Sequence, residues 1–423
     1  EGWSALSMNL HRQGKLVEAV DLLKYAMTGG PYAKFKKPSK DSMVQFCLGL
    51  FKALLGYIAE PATLFIQICQ KEPSPTTLFM MLRTCLMVKD YQLAESALSQ
   101  ICLAYDASPA AFVSEMVVFN STFDLPHWTD LSTNKAFIEQ CLNSEDDFFP
   151  ETYSIPEEFA QLTSGEGRVK DKVWLIRGDS PKVTKVVRDG EDLNRELFAF
   201  ESGLVQRYIG DTLLYQSRRF SLQCYIVISS YEPLEVEYNT ELCGIVSKEE
   251  YNRDSDLDSD GCLPRLETGE VISSSELFHW LERSGDGKDA NQPPVDVVKL
   301  KENLQQTIES TVRSLTAHFG QCKNEARPAR YSAIGLPKII VAEFIVDSQL
   351  KAWLTKVNSN PSLKHHNPIG KASINALSQT VLKGFGDKLF VTSESDSTLQ
   401  GTIHNSALYR DYEGCKHSFR LLR

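Results

Sequence analysis

Two runs of alternating side chains in the last third of the chain restrict its fold more than anything else in it. Residues 338–346 and 351–357 each repeat with a period of two, and Asp347-Ser348 lies between them. That pattern predicts two β-strands joined as an antiparallel hairpin. Polar Glu343 sits within the first strand, and Asn358 and Asn360 stand just past the second. Residues two apart on a strand share a face, so the alternation aims these side chains at one cleft.

The chain opens in the other periodicity. Residues 3–27 read as two antiparallel helices, with Trp3, Leu6 and Leu10 on the first and Val17, Ala19, Val20, Leu23 and Ala26 on the second. Gln13-Gly14-Lys15 separates them and Gly29-Gly30-Pro31 ends the pair. Residues 41–70 form a second helix pair. The positions of Trp3, Leu6, Gly14, Ala19, Leu23, Ala26 and Pro31 resemble a tetratricopeptide repeat, and 78–101 carries a weaker copy through Leu82, Cys85, Ala94 and Leu98. Residues 1–112 are therefore expected to form an all-α repeat segment of three hairpins. Two roles fit it: a groove for a protein partner, or a cap packed on the next domain.

After 112 strand and helix patterns interleave. Strands are predicted at 117–119, 173–176, 183–187, 204–209, 221–229 and 234–238, and helices at 135–142, 297–319 and through Ile374, Leu377, Val381 and Leu382. Residues 252–300 are polar and without a pattern. The division predicted is an α/β domain over 113–390 and a polar, loosely ordered tail over 391–423. With 423 residues and 42% hydrophobic content the chain can bury two or three cores. Its net charge of −10 argues against nucleic acid as a partner. No apolar run is long enough to cross a membrane, and Glu1-Gly2-Trp3-Ser4 is no signal peptide. Ten scattered cysteines without C-x-x-C spacing predict reduced thiols and a cytoplasmic location. The opening inside an amphipathic pattern is what a fragment of a longer protein would show.

Further segments narrow the reading. Phe149-Pro150-Glu151-Thr152-Tyr153 is similar to an F-P-x-T/S-Y loop, and Asn134-Lys135-Ala136 to the basic segment that precedes it. Val173-Trp174-Leu175-Ile176-Arg177 is similar to a W-I-x-K strand, and Val205-Gln206-Arg207-Tyr208-Ile209 to a hinge that carries adenine. Arg218 through Val227 is similar to K-F-D-x-R-x-Y-V-L-V. In this order, with the hairpin at 339–363, they resemble the tubulin-tyrosine ligases and their glutamylase and glycylase relatives over most of 113–390. The resemblance implies an ATP-grasp fold, ATP and magnesium as cofactors, and tubulin or microtubules as partner, at the cytoskeleton or cilium. It places Lys135, Arg177 and Arg219 at the phosphates, and the backbone of Arg207 and Ile209, with Tyr208 between them and Gln206 beside, at the adenine. Glu343 and Asn358 would hold the metal. Acid–amine ligation through an acyl phosphate needs such a set, because phosphoryl transfer is catalysed by positioning and charge. Any one Lys or Arg alone is more often a solvated surface charge.

Five departures interrupt the resemblance. Lys356 stands where the family has a metal-binding Glu, and Ser221 and Gln223 where it has Asp and Arg. Glu343 replaces an Asp, the H-L-T-N motif after Tyr251-Asn252 is missing, and the phosphate loop at 178–183 lacks its glycines. Two like charges about 4 Å apart cost about 4 kcal/mol at an effective dielectric near 20, so Lys356 opposes a divalent cation there. It could contact phosphate directly instead. The departures favour a degenerate site that binds tubulin with weak or no ligase activity. The alternatives are an active ATP- and magnesium-dependent ligase acting on tubulin or another acidic tail, and a scaffold built on the helical repeats.

Two smaller motifs complete the reading. Asp256, Asp258, Asp260, Gly261 and Glu267 have the spacing of a calcium loop, but Pro264 falls inside it and no amphipathic exit helix begins before Ser273, so a solvated acidic insertion is the favoured reading. His365 and His366 are adjacent, so their side chains diverge and they read as a polar turn.

Overall fold

The computed structural model describes residues 2–28, 42–57, 59–87, 134–164, 172–178, 184–188, 203–231, 234–251, 269–283, 295–326, 338–359 and 419–422, with single positions between them. Five helices come first: α1 (Gly2–Arg12), α2 (Leu16–Thr28), α3 (Ser42–Leu54), α4 (Ala59–Lys71) and α5 (Pro75–Met87). Helix α2 buries Ala19, Val20, Leu23 and Ala26, one stripe of a 3.6-residue period. Helices α1 and α3 end alike. Gly14 at φ 76° lets the Lys15 N–H reach the Leu10 carbonyl at 2.9 Å, and Gly56 at φ 90° lets the Tyr57 N–H reach the Lys52 carbonyl at 3.0 Å. Both are glycine caps that satisfy the last carbonyls and turn the chain back. Each helix packs on the next, and α1 also touches α3, so the two helix pairs expected over 3–27 and 41–70 are present, while most of 88–112 lies outside the described residues.

Between α3 and α4 the buried Lys52 ammonium bonds the Glu60 carboxylate. That bond, with the Lys52 charge, holds Glu60 below its ordinary value of 4.5. A carboxyl lowered by folding contributes stability above its unfolded value and loses it as pH falls through the folded one. The urea midpoint should therefore drop as pH falls below about 4.5, and Glu60→Gln should flatten that drop. Unfolding curves of both proteins from about pH 6 to 3 provide the check.

The rest of the chain forms two sheets. The smaller, antiparallel throughout, has the order β1-β4-β2-β3, from β1 (Thr152–Ile155), β2 (Val173–Gly178), β3 (Thr184–Arg188) and β4 (Gly203–Arg207). The larger has eight strands, with β11-β10-β6-β7-β12 as its main path. Its axis is the 14-residue β6 (Arg218–Tyr231), flanked by β10 (Lys338–Val346) and β7 (Leu234–Asn239). Strand β11 (Ala352–Asn358) is antiparallel to β10, as the alternation predicts. Strands β5 (Leu214–Tyr215), β8 (Cys243–Val246) and β9 (Glu270–Ser273) lie off this path.

The two faces of the large sheet are used differently. On one, Leu222, Cys224 and Ile226 of β6 and Ile340, Ala342 and Phe344 of β10 share a core with Leu304, Ile308, Val312 and Leu315 of the long helix α9 (Val297–Ala326). Helix α6 (Lys135–Leu142) joins that core through Phe137, Ile138 and Cys141, while the short α7 (Phe159–Ser164) packs by the small sheet through Leu162. On the opposite face, Tyr225, Val227, Ile339 and Val341 belong to the same apolar cluster as Phe51, Phe65, Leu82 and Ile101 of the N-terminal segment. The helical core thus runs without a break into one end of the sheet.

Two expectations are corrected. The stretch 252–300 is not patternless throughout: it holds β9 and the amphipathic helix α8 (Ser274–Arg283), whose Leu277, Phe278 and Leu281 are buried. The tail is not loose to its end. Phe419–Leu422 form β12, which pairs antiparallel with β7 because the edge of that strand offers unpaired N–H and C=O groups. The predicted strand at 117–119, the helix at 374–382, the calcium-loop residues Asp256, Asp258, Asp260 and Glu267, and His365-His366 lie outside the described residues.

Candidate functional site

The face of the large sheet shared with the helical segment carries three bands. At one end lie Tyr225, Val227, Ile339 and Val341, buried with the helices. At the other, Ile345 and Trp353 pack against Ile209. Between them runs a polar strip. Glu343 is opposite Gln223 on one side and Lys356 on the other, and Asn358 is opposite Val341. Gln223, Tyr225, Val341, Glu343, Lys356, Asn358 and Pro361 line one small cleft of about 50 Å³. The hairpin and β6 thus bring together Glu343, Asn358, Lys356 and Gln223.

A bulge shapes this strip. Glu343 is paired with Lys356 but the next residue, Phe344, with Leu354, so Thr355 is the extra residue on β11. Such a bulge re-aims side chains and frees backbone groups from the ladder. The Thr355 hydroxyl donates to the Glu343 carbonyl at 3.1 Å. Its own carbonyl accepts from the Arg177 guanidinium of β2 at 2.7 Å. Arg177 thereby ties the small sheet to the large one beside the cleft. Burial lowers the Arg177 pKa from its ordinary value, and the Glu343 charge works against that shift.

Arg219 has a different place. It is fully buried on β6, and its guanidinium donates to the Tyr208 hydroxyl and to the Ile209 carbonyl, the latter at 2.8 Å. It lies 4.6 Å from the Tyr208 ring centre and 4.9 Å from that of Tyr251. Among the described residues no carboxylate pairs with it, and its Nε and the Ser221 hydroxyl, also buried, find no hydrogen-bond partner there. Tyr251 in turn donates to the Gly210 carbonyl at 2.9 Å. Arg219 and Tyr251 together pin the segment that leaves β4 and leads to the large sheet.

Other residues singled out in the sequence are occupied with the fold. Arg207 is exposed, and its N–H donates to the Glu151 carbonyl at 2.7 Å. With Ile209 O taken by Arg219, two backbone groups expected at the adenine are engaged within the protein. The Gln206 side chain is buried and donates to Thr152 Oγ1 at 3.1 Å, which ties β4 to β1. Lys135 opens α6 and pairs with Glu139 at 3.8 Å and Glu158 at 3.6 Å, and it is not among the described residues lining the cleft. Its neighbour Asn134 caps the helix by accepting the Phe137 N–H at 3.0 Å. Sequence reasoning missed the Thr355 bulge and the stacking of Tyr251. Neither has a local signal: a bulge needs a partner strand, and Tyr251 meets Arg219 only through the fold.

Comparison with known proteins agrees with this architecture. The model of the tubulin-tyrosine ligase family matches residues 125–263 and 290–397, more than half of the chain. Among curated proteins, a probable beta-tubulin polyglutamylase of Tetrahymena thermophila is 23% identical over 279 residues, covering 59% of this chain and 22% of that protein. A tubulin polyglutamylase of Xenopus tropicalis is 22% identical over 250 residues, covering 55% of this chain and 27% of that protein. A probable alpha-tubulin polyglutamylase of Tetrahymena thermophila is 24% identical over 253 residues, 53% of this chain and 57% of that protein. The chain thus spans about a quarter of the length of the first two relatives.

Proposed function

The chain belongs to the tubulin-tyrosine ligase family, and from that premise we propose that it is a nucleotide-binding member that engages tubulin or microtubules, with weak or no ligase activity. One observation carries the reading. In this reading the polar strip on β6, β10 and β11 receives phosphate, and Lys356 stands directly opposite Glu343, at the position where the family resemblance implies a metal-binding carboxylate. Arg177 adds a cation at its border. The arrangement suits holding an anion better than activating a carboxylate, which needs cations that concentrate on the transferring phosphoryl group. Tubulin enters as the partner because the relatives just described carry tubulin polyglutamylase names. An association with the cytoskeleton follows from the same partner, and the N-terminal helices offer a second surface for it.

Microtubule co-sedimentation, paired with a radiolabelled glutamate, glycine and tyrosine incorporation assay, tests the reading. The expected result is pelleting with microtubules and no label transferred to tubulin. Failure to pellet would remove tubulin as partner, and ATP-dependent labelling would restore the active ligase.

A further inference from the structure

The magnesium that the family implies does not fit the donors in this cleft. Of the described residues that line it, Glu343 is the one carboxylate, and Lys356 brings an ammonium to the neighbouring strand position. Among the described residues no three His, Cys, Asp or Glu side chains come together to hold a metal ion anywhere. Magnesium takes several oxygen ligands in a near-octahedral set and sheds its water reluctantly. One carboxylate beside a fixed cation gives it little reason to settle there.

The ammonium at the cleft suits a phosphate group instead. Lys356 is exposed, so its ammonium is accessible to a ligand, at the cost of part of its hydration. Among the described residues no carboxylate forms an ion pair with it. Glu343 faces it across the ladder and also interacts with the charge of Arg177. An ammonium on a flexible stem is a compact point charge, able to follow a phosphate oxygen as a metal ion would. From this we propose that a nucleoside triphosphate binds without a divalent cation, with its terminal phosphate at this cleft, and that Lys356 occupies the electrostatic place of the metal. The proposal rests on the nucleotide reading above and adds to it the state in which the nucleotide is bound.

Calorimetric titration of the intact chain with ATP, once in EDTA and once in excess magnesium, gives the test. Binding in EDTA should be as tight as with magnesium, or tighter, because magnesium removes part of the ligand's negative charge. Lys356→Glu should weaken the EDTA binding by about tenfold and restore a requirement for magnesium. Because Lys356 is exposed, this variant is expected to fold. Glu343→Gln separates the two models further. It should tighten metal-free binding by about fivefold by removing a negative charge, whereas loss of a metal ligand would weaken binding. ATP that binds only with magnesium overturns the inference and leaves the nucleotide reading standing. ATP that binds under neither condition overturns both.

Discussion

Arg219→Ala is expected to lower the unfolding free energy by about 3 kcal/mol and to weaken ATP binding with it. The wild-type side chain is fully buried and touches two tyrosine rings. Each such contact contributes on the order of 1 kcal/mol when desolvated. Truncation also strands the Ile209 carbonyl and the Tyr208 hydroxyl, both of which accept from the guanidinium. A buried group left unsatisfied costs about 1–3 kcal/mol, while relief from burying an unneutralised charge offsets part of the sum. The hinge at Tyr208–Ile209 loses its anchor at the same time, so nucleotide affinity should fall as well. Ser221→Asp should act in the opposite sense. The Ser221 hydroxyl and Arg219 Nε are both buried on the same face of β6, without partners among the described residues. A carboxylate there can neutralise the guanidinium and raise the melting temperature by about 3 °C. Thermal melts of the two variants check both signs. A Ser221→Asp protein that melts below the wild type would show that the charge of Arg219 is already balanced.

Removing the helical segment is expected to leave a protein that does not stay monomeric. A chain starting near residue 113 would expose Tyr225, Val227, Ile339 and Val341, which now lie in one cluster with the helices. Exposing four such side chains forfeits about 6–10 kcal/mol of transfer free energy, comparable to the whole stability of a domain. It also leaves a contiguous apolar patch, which favours association. Size-exclusion chromatography after expression is the measurement, with aggregate or loss of soluble protein expected. A monomeric fragment with a sharp melt would mean that the helices are dispensable to the sheet. Because Tyr225 and Val341 line the cleft as well, the helical layer also bounds the site.

Much of this architecture was legible in the residues. Side-chain alternation is a local property, so β10, β11 and the helix pairs could be read from spacings of two and of three to four residues. The order of six short segments identified the family, and the ammonium at position 356 was visible as a letter. Three matters were decided by the tertiary structure. Strand pairing placed Gln223, Glu343, Lys356 and Asn358 in one cleft and inserted the bulge that brings Thr355 to Arg177. Long-range packing assigned the cations: Arg219 to the segment at Tyr208–Ile209, Lys135 to Glu158, and Arg177 to a bulge carbonyl. It also recruited Phe419–Leu422 to the edge of β7 and docked the helical core on the sheet. A charge finds its partner, and an edge its strand, among residues distant along the chain, so no local spacing encodes the choice.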